Sequence, residues 1–307
     1  MSSKMSAFTR RWQTIRYAWQ EYHTMYLFML PFVVLFLVFV IAPVLTAAYL
    51  SFTYFNVLEP PRWIGLSNFR LLFVEDDIFY QYALKNTFIF AIITGPLGYA
   101  ISFTLAWFIN RLRVRQLYTL AFYTPSITSA IAMSVIWLYL FANDRYGLLN
   151  YALTGIGLIS EPVAWLREQS TILPVIMIVS LWMSMGTGFL VFLAGLQDVP
   201  MELYEAGMVD GVRTALQEVF YITIPVMRPQ LLFGAVMAIV NSFAVFQIAA
   251  QIAGLPSPLY AGHTIVAHLY DYGFIRFEMG YAAAIAVVLF LLTFALGRWA
   301  MRVFSER

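Results

Sequence analysis

Glu205-Ala206-Gly207-Met208-Val209-Asp210-Gly211, followed by Ile224-Pro225 and by Pro229, is the stretch that decides how this chain is read. It belongs to a polar, charged segment near residues 195–229 that lies between two long apolar runs. Asp198 suits an N-cap and Pro200 a first helical turn. Glu202 then falls where the helix dipole favours an acid. The spacing predicts a short amphipathic helix through about Val209, ended by Gly211. Leu203, Ala206 and Gly207, at i, i+3 and i+4, share one face, and small residues there admit another backbone closely. Pro225 and Pro229 deny the next run a regular start. Physical reasoning leaves two readings open: an ordinary loop with a helical turn, or a surface shaped for a partner.

Outside this segment the chain is apolar. Of 307 residues, 62% are hydrophobic and 11% charged, against about 25% charged in a soluble domain. The mean hydropathy is +0.77. Six runs stand out, near Met25–Leu50, Ala83–Ile109, Leu117–Phe141, Thr171–Leu193, Gln230–Ala253 and Tyr281–Trp299. Each approaches the roughly 20 residues that a helix needs to cross a bilayer. None alternates apolar with polar residues as barrel strands do. The fold class is therefore an all-α integral membrane protein with six transmembrane helices. The first run is too long for a signal-peptide core of about 7–15 residues. Residues 1–24 read as a cytoplasmic tail and 25–307 as a single membrane domain.

Basic residues set the orientation. With both termini inside, twelve of the eighteen Lys and Arg lie inside, among them Lys4, Arg10, Arg11, Arg16, Arg111, Arg113, Arg115 and Arg213. The six outside are Arg62, Arg70, Lys85, Arg145, Arg167 and Arg276. Glu205 then faces the cytoplasm, and the longest outer loop is Ser51 to Tyr82.

Several functions are excluded. The span centres carry no Asp, Glu, Lys, Arg or His, so no proton path of ionisable groups crosses them. Sodium coupling through carbonyls and hydroxyls stays open. There is no phosphate loop of the form G-x-x-x-x-G-K followed by Ser or Thr. No cysteine is present, so disulfides, thiolate metal sites and thiol nucleophiles are absent. His263 and His268, five apart, suit a shared metal poorly and read as polar residues of an outer loop. A net charge of +2 gives no case for nucleic acid. Membrane lipid is the one partner that composition alone demands.

The opening stretch resembles the EAA loop of binding-protein-dependent ABC importers. That pattern runs E-A-A, three residues, D-G-A, about a dozen residues, then I-x-L-P with another Pro four later. Glu205, Ala206, Asp210, Gly211, Ile222, Pro225 and Pro229 match it; Gly207, Val212 and Ile224 depart from it. Gly207 in place of Ala loosens the helix by about 1 kcal/mol. Trp63-Ile64-Gly65-Leu66-Ser67-Asn68-Phe69 is similar to a first-outer-loop signature, G-L-x-N followed by an aromatic residue. On physical grounds Trp63 and Phe69 read as packing residues. Pro125 through Trp137 and Tyr146-Gly147-Leu148-Leu149-Asn150 resemble the third span and the turn after it. The chain is thus similar to sugar-transporter permeases of the carbohydrate-uptake family, type I importers, and within them to the maltose-permease F-type subunit.

The resemblance implies a non-catalytic pore subunit in the inner or plasma membrane of a prokaryote. It implies a second homologous permease, two ATPase subunits and an extracytoplasmic sugar-binding protein. ATP and magnesium would act in the ATPase, and this chain would hold no cofactor, catalytic residue or metal. Glu205, Ala206, Gly207, Asp210, Gly211 and Pro225 would couple to the ATPase. Carried over by position, the sugar path would draw on Ser180 and Ser184 before the loop and on Asn241 and Ala244 after it; Phe243 and Gln247 join them as an aromatic face and an amide on the same span. Helix–helix contact, worth about 0.6–2 kcal/mol per polar pair, is the competing reading of those residues. Two other functions remain in view: a sodium-coupled secondary carrier, and an ABC permease for a glycerol-phosphate ester, whose cargo would want a cation in the path.

Overall fold

Residues 22–305 are described by a computed structural model and are almost entirely helical. The chain divides into two units, Met1–Leu50 and Ser51–Arg307. The described part of the first is one helix, α1, Tyr22–Leu50. It is predominantly apolar on every face and long enough to cross a membrane. Residues 22–24, expected in the tail, are helical. The rest of that tail, with Lys4, Arg10, Arg11 and Arg16, lies outside the described residues.

The second unit holds α2 (Phe79–Asn110), α3 (Arg115–Ile127), α4 (Ala130–Leu140) and α5 (Leu148–Gly155). After these come α6 (Gln169–Met183), α7 (Thr187–Asp198), α8 (Met201–Val209) and α9 (Ala215–Val226). The last four are α10 (Arg228–Phe243), α11 (Gln247–Ala253), α12 (Ile265–Tyr270) and α13 (Met279–Ser305). A two-stranded ribbon, β1 (Thr53–Tyr54) with β2 (Arg62–Trp63), is the one sheet among the described residues. Across both units five stretches are long and apolar enough to cross a membrane: Tyr22–Leu50, Phe79–Asn110, Gln169–Asp198, Arg228–Ala253 and Met279–Val303.

The remaining expected span, near Leu117–Phe141, is not one rod. It is the pair α3 and α4, bent by 95°. Pro125 removes a helical donor, and Thr128 and Ser129 then run extended, at ψ 139° and 131°. Hydroxyls serve the carbonyls around the bend: Thr124 Oγ1 donates to Leu120 O, Ser126 Oγ to Tyr123 O and Thr128 Oγ1 to Thr124 O, at 2.6–2.9 Å. Such bonds let a break persist inside a membrane.

Helix α2 is the centre of the unit. It packs on α6, α7 and α10, and α10 packs in turn on α13. The core falls into three clusters. One, at the start of α2, gathers Leu72, Phe79, Ala83, Ile265, Tyr281 and Ile285. A second joins Phe90 to Ile172, Ile176, Ala249 and Ile252. The third lies towards the far end of α2 and joins Ala106 and Ile109 to Phe189, Phe192 and Leu231.

At the start of α2, three asparagines bind loops to the bundle. Buried Asn68 donates to Ser51 O and Thr53 O at 3.0 and 2.9 Å, while Phe52 packs on both Trp63 and Phe69. Asn86 donates to the carbonyls of Tyr260, Ala261 and His263. Asn150, fully buried, serves Ala142, Asp144 and Val163 with its amide and accepts from Val163 N and Trp165 Nε1. An asparagine carries both donors and an acceptor, so one side chain can close a loop that lacks regular backbone pairing.

His263 and His268 are not exposed loop residues. Each is 1% exposed, and both belong to a buried network. His268 Nε2 donates to Asp76 Oδ2 at 2.9 Å and Tyr281 Oη donates to the same oxygen at 2.6 Å. Asp76 Oδ1 accepts from Phe79 N at 2.8 Å, and His263 Nε2 lies 3.1 Å from His268 Nδ1. Burial raises the Asp76 pKa, but these donors outweigh it and hold the carboxyl well below the usual carboxylate range. Burial first, then His268, pushes His263 down to about 4.

These shifts fix an acid response. Below about pH 6.5 the unfolded chain binds a proton at His263 that the folded chain refuses until about pH 4, so stability falls across that window. The Asp76 contribution is present above its unfolded value and is lost at lower pH still. The thermal midpoint of the purified protein should drop between pH 6.5 and 4.5, by at most about 3 kcal/mol of stability. His263→Gln should shrink the drop. A wild-type midpoint that is flat across this range would contradict the assignment.

Candidate functional site

A cavity of about 600 Å³ opens between α2, α3, the α6–α7 junction and the α10–α11 junction. Small-molecule sites occupy about 300–1,000 Å³. Two of its walls are interrupted helices. Between α6 and α7 the chain leaves helical geometry at Gly186, with φ −111° and ψ −125°. Between α10 and α11 it does so at Phe246, with φ −142° and ψ −59°. The bend after α3 adds Ser126 and Thr128 as a third irregular wall. As at that bend, a hydroxyl serves each junction: Ser184 Oγ donates to Leu181 O at 2.7 Å and Ser242 Oγ to Ile239 O at 2.9 Å. Irregular backbone at membrane depth is tolerated where it lines a cavity.

The fourth wall is continuous. Phe90, Thr94, Gly98, Ser102 and Ala106 recur every four residues along α2 and are all buried. Thr94, Gly98 and Ser102 line the cavity, with Tyr99 beside them. A Cβ on Gly98 would lie 3.2 Å from Ser184 Oγ, so glycine sets how closely α2 approaches the α6–α7 junction. Tyr99 Oη donates to Leu231 O at 3.3 Å, which ties α2 to α10. No lining residue is charged; the polar ones are Ser, Thr, Asn, Gln and Tyr.

Of the residues expected on a path, Ser180, Ser184, Asn241 and Gln247 all line this cavity. Ser180 Oγ is buried without a hydrogen-bond partner among the described residues. Phe243 does not reach it. It is 5% exposed and meets Phe88 edge-on at 5.4 Å, because two residues of helix after Asn241 turn the side chain to another face. Phe246, beyond the helix break, takes the lining position. The span expected as one run, Thr171–Leu193, is interrupted just after Ser184, at the break between α6 and α7. The α2 residues went unnoticed in the sequence, although their four-residue spacing of small and polar side chains was readable there.

At the far end of α2 lies the α8–α9 surface. The helix expected through Val209 runs from Met201 to Val209 and turns at Gly211, whose φ is +94°. Gly211 N and Val212 N reach back to Met208 O and Gly207 O. Asp198 is not the N-cap. It ends α7, and Pro200, with ψ 134°, opens α8. The residue before a proline is pushed to extended geometry, and Val199 adopts it at ψ 120°. The shared face is also different: Gly207 is buried, whereas Leu203 and Ala206 are exposed together with Glu205 and Asp210. A Cβ on Gly207 would stand 2.6 Å from Ile222 Cδ1, so this glycine seats α8 on α9. Tyr204 Oη and Thr223 Oγ1, 3.0 Å apart, join the same two helices. Pro225 is exposed near the end of α9, and Pro229 stands in the first turn of α10.

No group of three or more His, Cys, Asp and Glu is placed to hold a metal among the described residues.

Comparison with known proteins follows this geometry closely. The family profile described as binding-protein-dependent transport system inner membrane component matches residues 98–307. "Probable ABC transporter permease protein YesP" of Bacillus subtilis (strain 168) is 33% identical over 270 residues, covering 87% of this chain and 85% of that protein. "Arabinooligosaccharides transport system permease protein AraP" of the same organism is 33% identical over 268 residues, covering 87% and 83%. The structure of a bacterial alginate ABC transporter in complex with an alginate pentasaccharide-bound periplasmic protein has the same fold, with TM-score 0.79 at 22% identity, over 95% of this chain and 96% of that one. This chain belongs to the inner-membrane component family of binding-protein-dependent transport systems.

Proposed function

We propose that this chain is the pore-forming permease subunit of an ATP-driven importer for an uncharged sugar or oligosaccharide. The observation that carries the reading is the neutral cavity, walled by broken helices and lined by hydroxyl and amide groups. Neutral donors and acceptors beside Tyr99, Tyr123 and Phe246 suit a ring with many hydroxyls and an apolar face. A phosphate or carboxylate would enter without a counter-ion from this chain, which argues against a glycerol-phosphate ester. Membership of a binding-protein-dependent family leaves no place for a stand-alone sodium-coupled carrier.

In this reading both termini are cytoplasmic. The Glu205 face of α8, with Ala206, Asp210 and Gly211 exposed nearby, docks one of two ATPase subunits, where ATP and magnesium act. Gly207 and Pro225 shape that face from behind. A second homologous permease completes the pore, and an external sugar-binding protein delivers the cargo. The chain itself has no catalytic residue. Cells lacking and then regaining this gene, tested with radiolabelled neutral oligosaccharides and with glycerol 3-phosphate, check the reading; restored uptake of glycerol 3-phosphate alone would reject it.

Glu205→Lys should leave the fold and thermal midpoint of the chain unchanged and cut ATPase co-purification by about tenfold or more, since a misplaced like charge at an interface costs several kcal/mol. Pull-down through a tag on this chain measures it, and normal retention with normal uptake would exclude the docking role.

Asn241→Leu should lower uptake of the preferred sugar by on the order of tenfold, as expected for a lost hydrogen bond of about 1–3 kcal/mol. A second sugar should be affected differently, because hydroxyl recognition is selective. An equal fall for both sugars, in step with lost complex, would make Asn241 a packing residue.

A single cysteine at Asn241 should react with a water-soluble maleimide, and one at Phe243 should not. The natural chain has no cysteine, so the background is clean.

A further inference from the structure

We propose that Arg111 and Glu218 form the tie through which movement of α8 reaches the cavity wall. This positioning role rests on the reading of α8 as the ATPase-facing helix. Arg111 directly follows the last residue of α2, and its guanidinium donates to Glu218 Oε2 across 107 positions of sequence. The same guanidinium lies 4.6 Å over the Trp107 ring, one turn back along α2. An isolated surface pair is worth about 0–1 kcal/mol. Stacking on Trp107 pre-orients this one. Arg113 and Arg115 stand beside it in the same turn, yet neither forms an ion pair with an acid among the described residues. The geometry selects Arg111.

Glu218 is held just as definitely. It sits in the first turn of α9, where Thr214 and Gln217 form a reciprocal capping box. Gln217 Oε1 accepts from Arg213 N and Thr214 N at 2.9 and 3.1 Å. Helix α9 is in turn fixed to α8 by the Gly207–Ile222 contact and by Tyr204 with Thr223. A displacement of α8 therefore carries Glu218 with it.

Helix α2 is the element able to pass that displacement on. The other cavity walls are interrupted at the α3–α4 bend, the α6–α7 junction and the α10–α11 junction. Helix α2 runs from Phe79 to Asn110, opens with a π-helical stretch over Phe79–Leu84 and carries Pro96 inside it, but from Gly98 to Asn110 it is regular α-helix without an interruption. Ser102 lies nine residues before Arg111, about 14 Å along the axis at helical rise. A pull on Arg111 moves Ser102, Tyr99 and Gly98 as one body, whereas a pull on a broken helix is absorbed at its break.

The test uses the assembled complex, purified through a tag on this chain from its host membranes. Ser102→Cys supplies a reporter in a chain without other cysteines, and maleimide labelling is followed with and without Mg-ATP plus vanadate. In the reporter parent, nucleotide should change the labelling rate. R111E and E218R should each retain a hydrolysing ATPase yet reduce that change by about fivefold or more. The R111E/E218R swap should restore it. Arg111→Gln, a milder loss, covers the case in which a reversal fails to fold, and it too should reduce the change with ATPase retained. Single reversals that keep the full change overturn the tie. So does a swap that fails to restore it, or variants whose loss tracks lost assembly. Absence of any ATPase from the parent preparation overturns the docking reading and the tie with it; an ATPase present with unaltered labelling in R111E and E218R overturns the tie alone.

Discussion

A bilayer offers no partner to a backbone N–H or C=O, and this one constraint shapes the whole second unit. Its simplest solution is the continuous helix, which α2 and α13 adopt. Every departure from that solution must be served locally. The bend between α3 and α4 is served by Thr124, Ser126 and Thr128, and the two other junctions by Ser184 and Ser242, each bonding a carbonyl of the preceding turn. Hydroxyl groups therefore gather where helices break. The breaks line one cavity with α2 as its continuous wall, so the same residues that make them tolerable also make the cavity polar.

Charge is arranged by the same logic. The groups that are ionised or buried in strong networks lie at the two ends of α2, with Asp76 and His268 at the start and Arg111 and Glu218 at the finish. Between them the cavity wall is neutral. A lone ion at that depth would cost several kcal/mol. Neutrality is thus both the cheaper way to build a path in lipid and the property that suits it to a hydroxyl-rich, uncharged cargo.

Much of this was legible in the sequence, and the failures have identifiable causes. Long apolar runs mark spans because lipid permits little else, and Gly211 marks the end of α8 because few residues accept a φ of +94°. The N-cap at Asp198 was misread because a side-chain preference competed with the stronger restriction that Pro200 places on Val199. The bend near Thr128 was hidden because a mean over apolar residues does not register a proline followed by hydroxyls. Phe243 was counted on the path because it adjoins Asn241 and Ser242, but side chains two residues apart on a helix do not share a face. The buried His263–His268–Asp76 network joins residues nearly two hundred positions apart, and no local pattern carries such a contact.

The two ends of α2 are held by different kinds of contact, which bears on how the unit can move. At the start of α2, side chains bond directly to loop backbone: Asn86 to three carbonyls, Thr87 to Ile265 N, Asn68 to Ser51 and Thr53. A buried amide that loses such partners pays its full desolvation cost, so this end resists rearrangement. At the finish, Ala106 and Ile109 are buried in an apolar cluster that Tyr204, Ile222 and Ile224 pack against, and the ion pair of Arg111 with Glu218 lies partly exposed. Apolar packing is non-directional, so helices there can shift slightly without leaving a buried polar group unpaired. Directional bonds at the start and non-directional packing at the finish make the finish of α2 the end that shifts more readily. The cavity lies along α2 between these two ends, so a shift of its wall at Gly98 or Ser102 would change the gap facing Ser180 and Asn241.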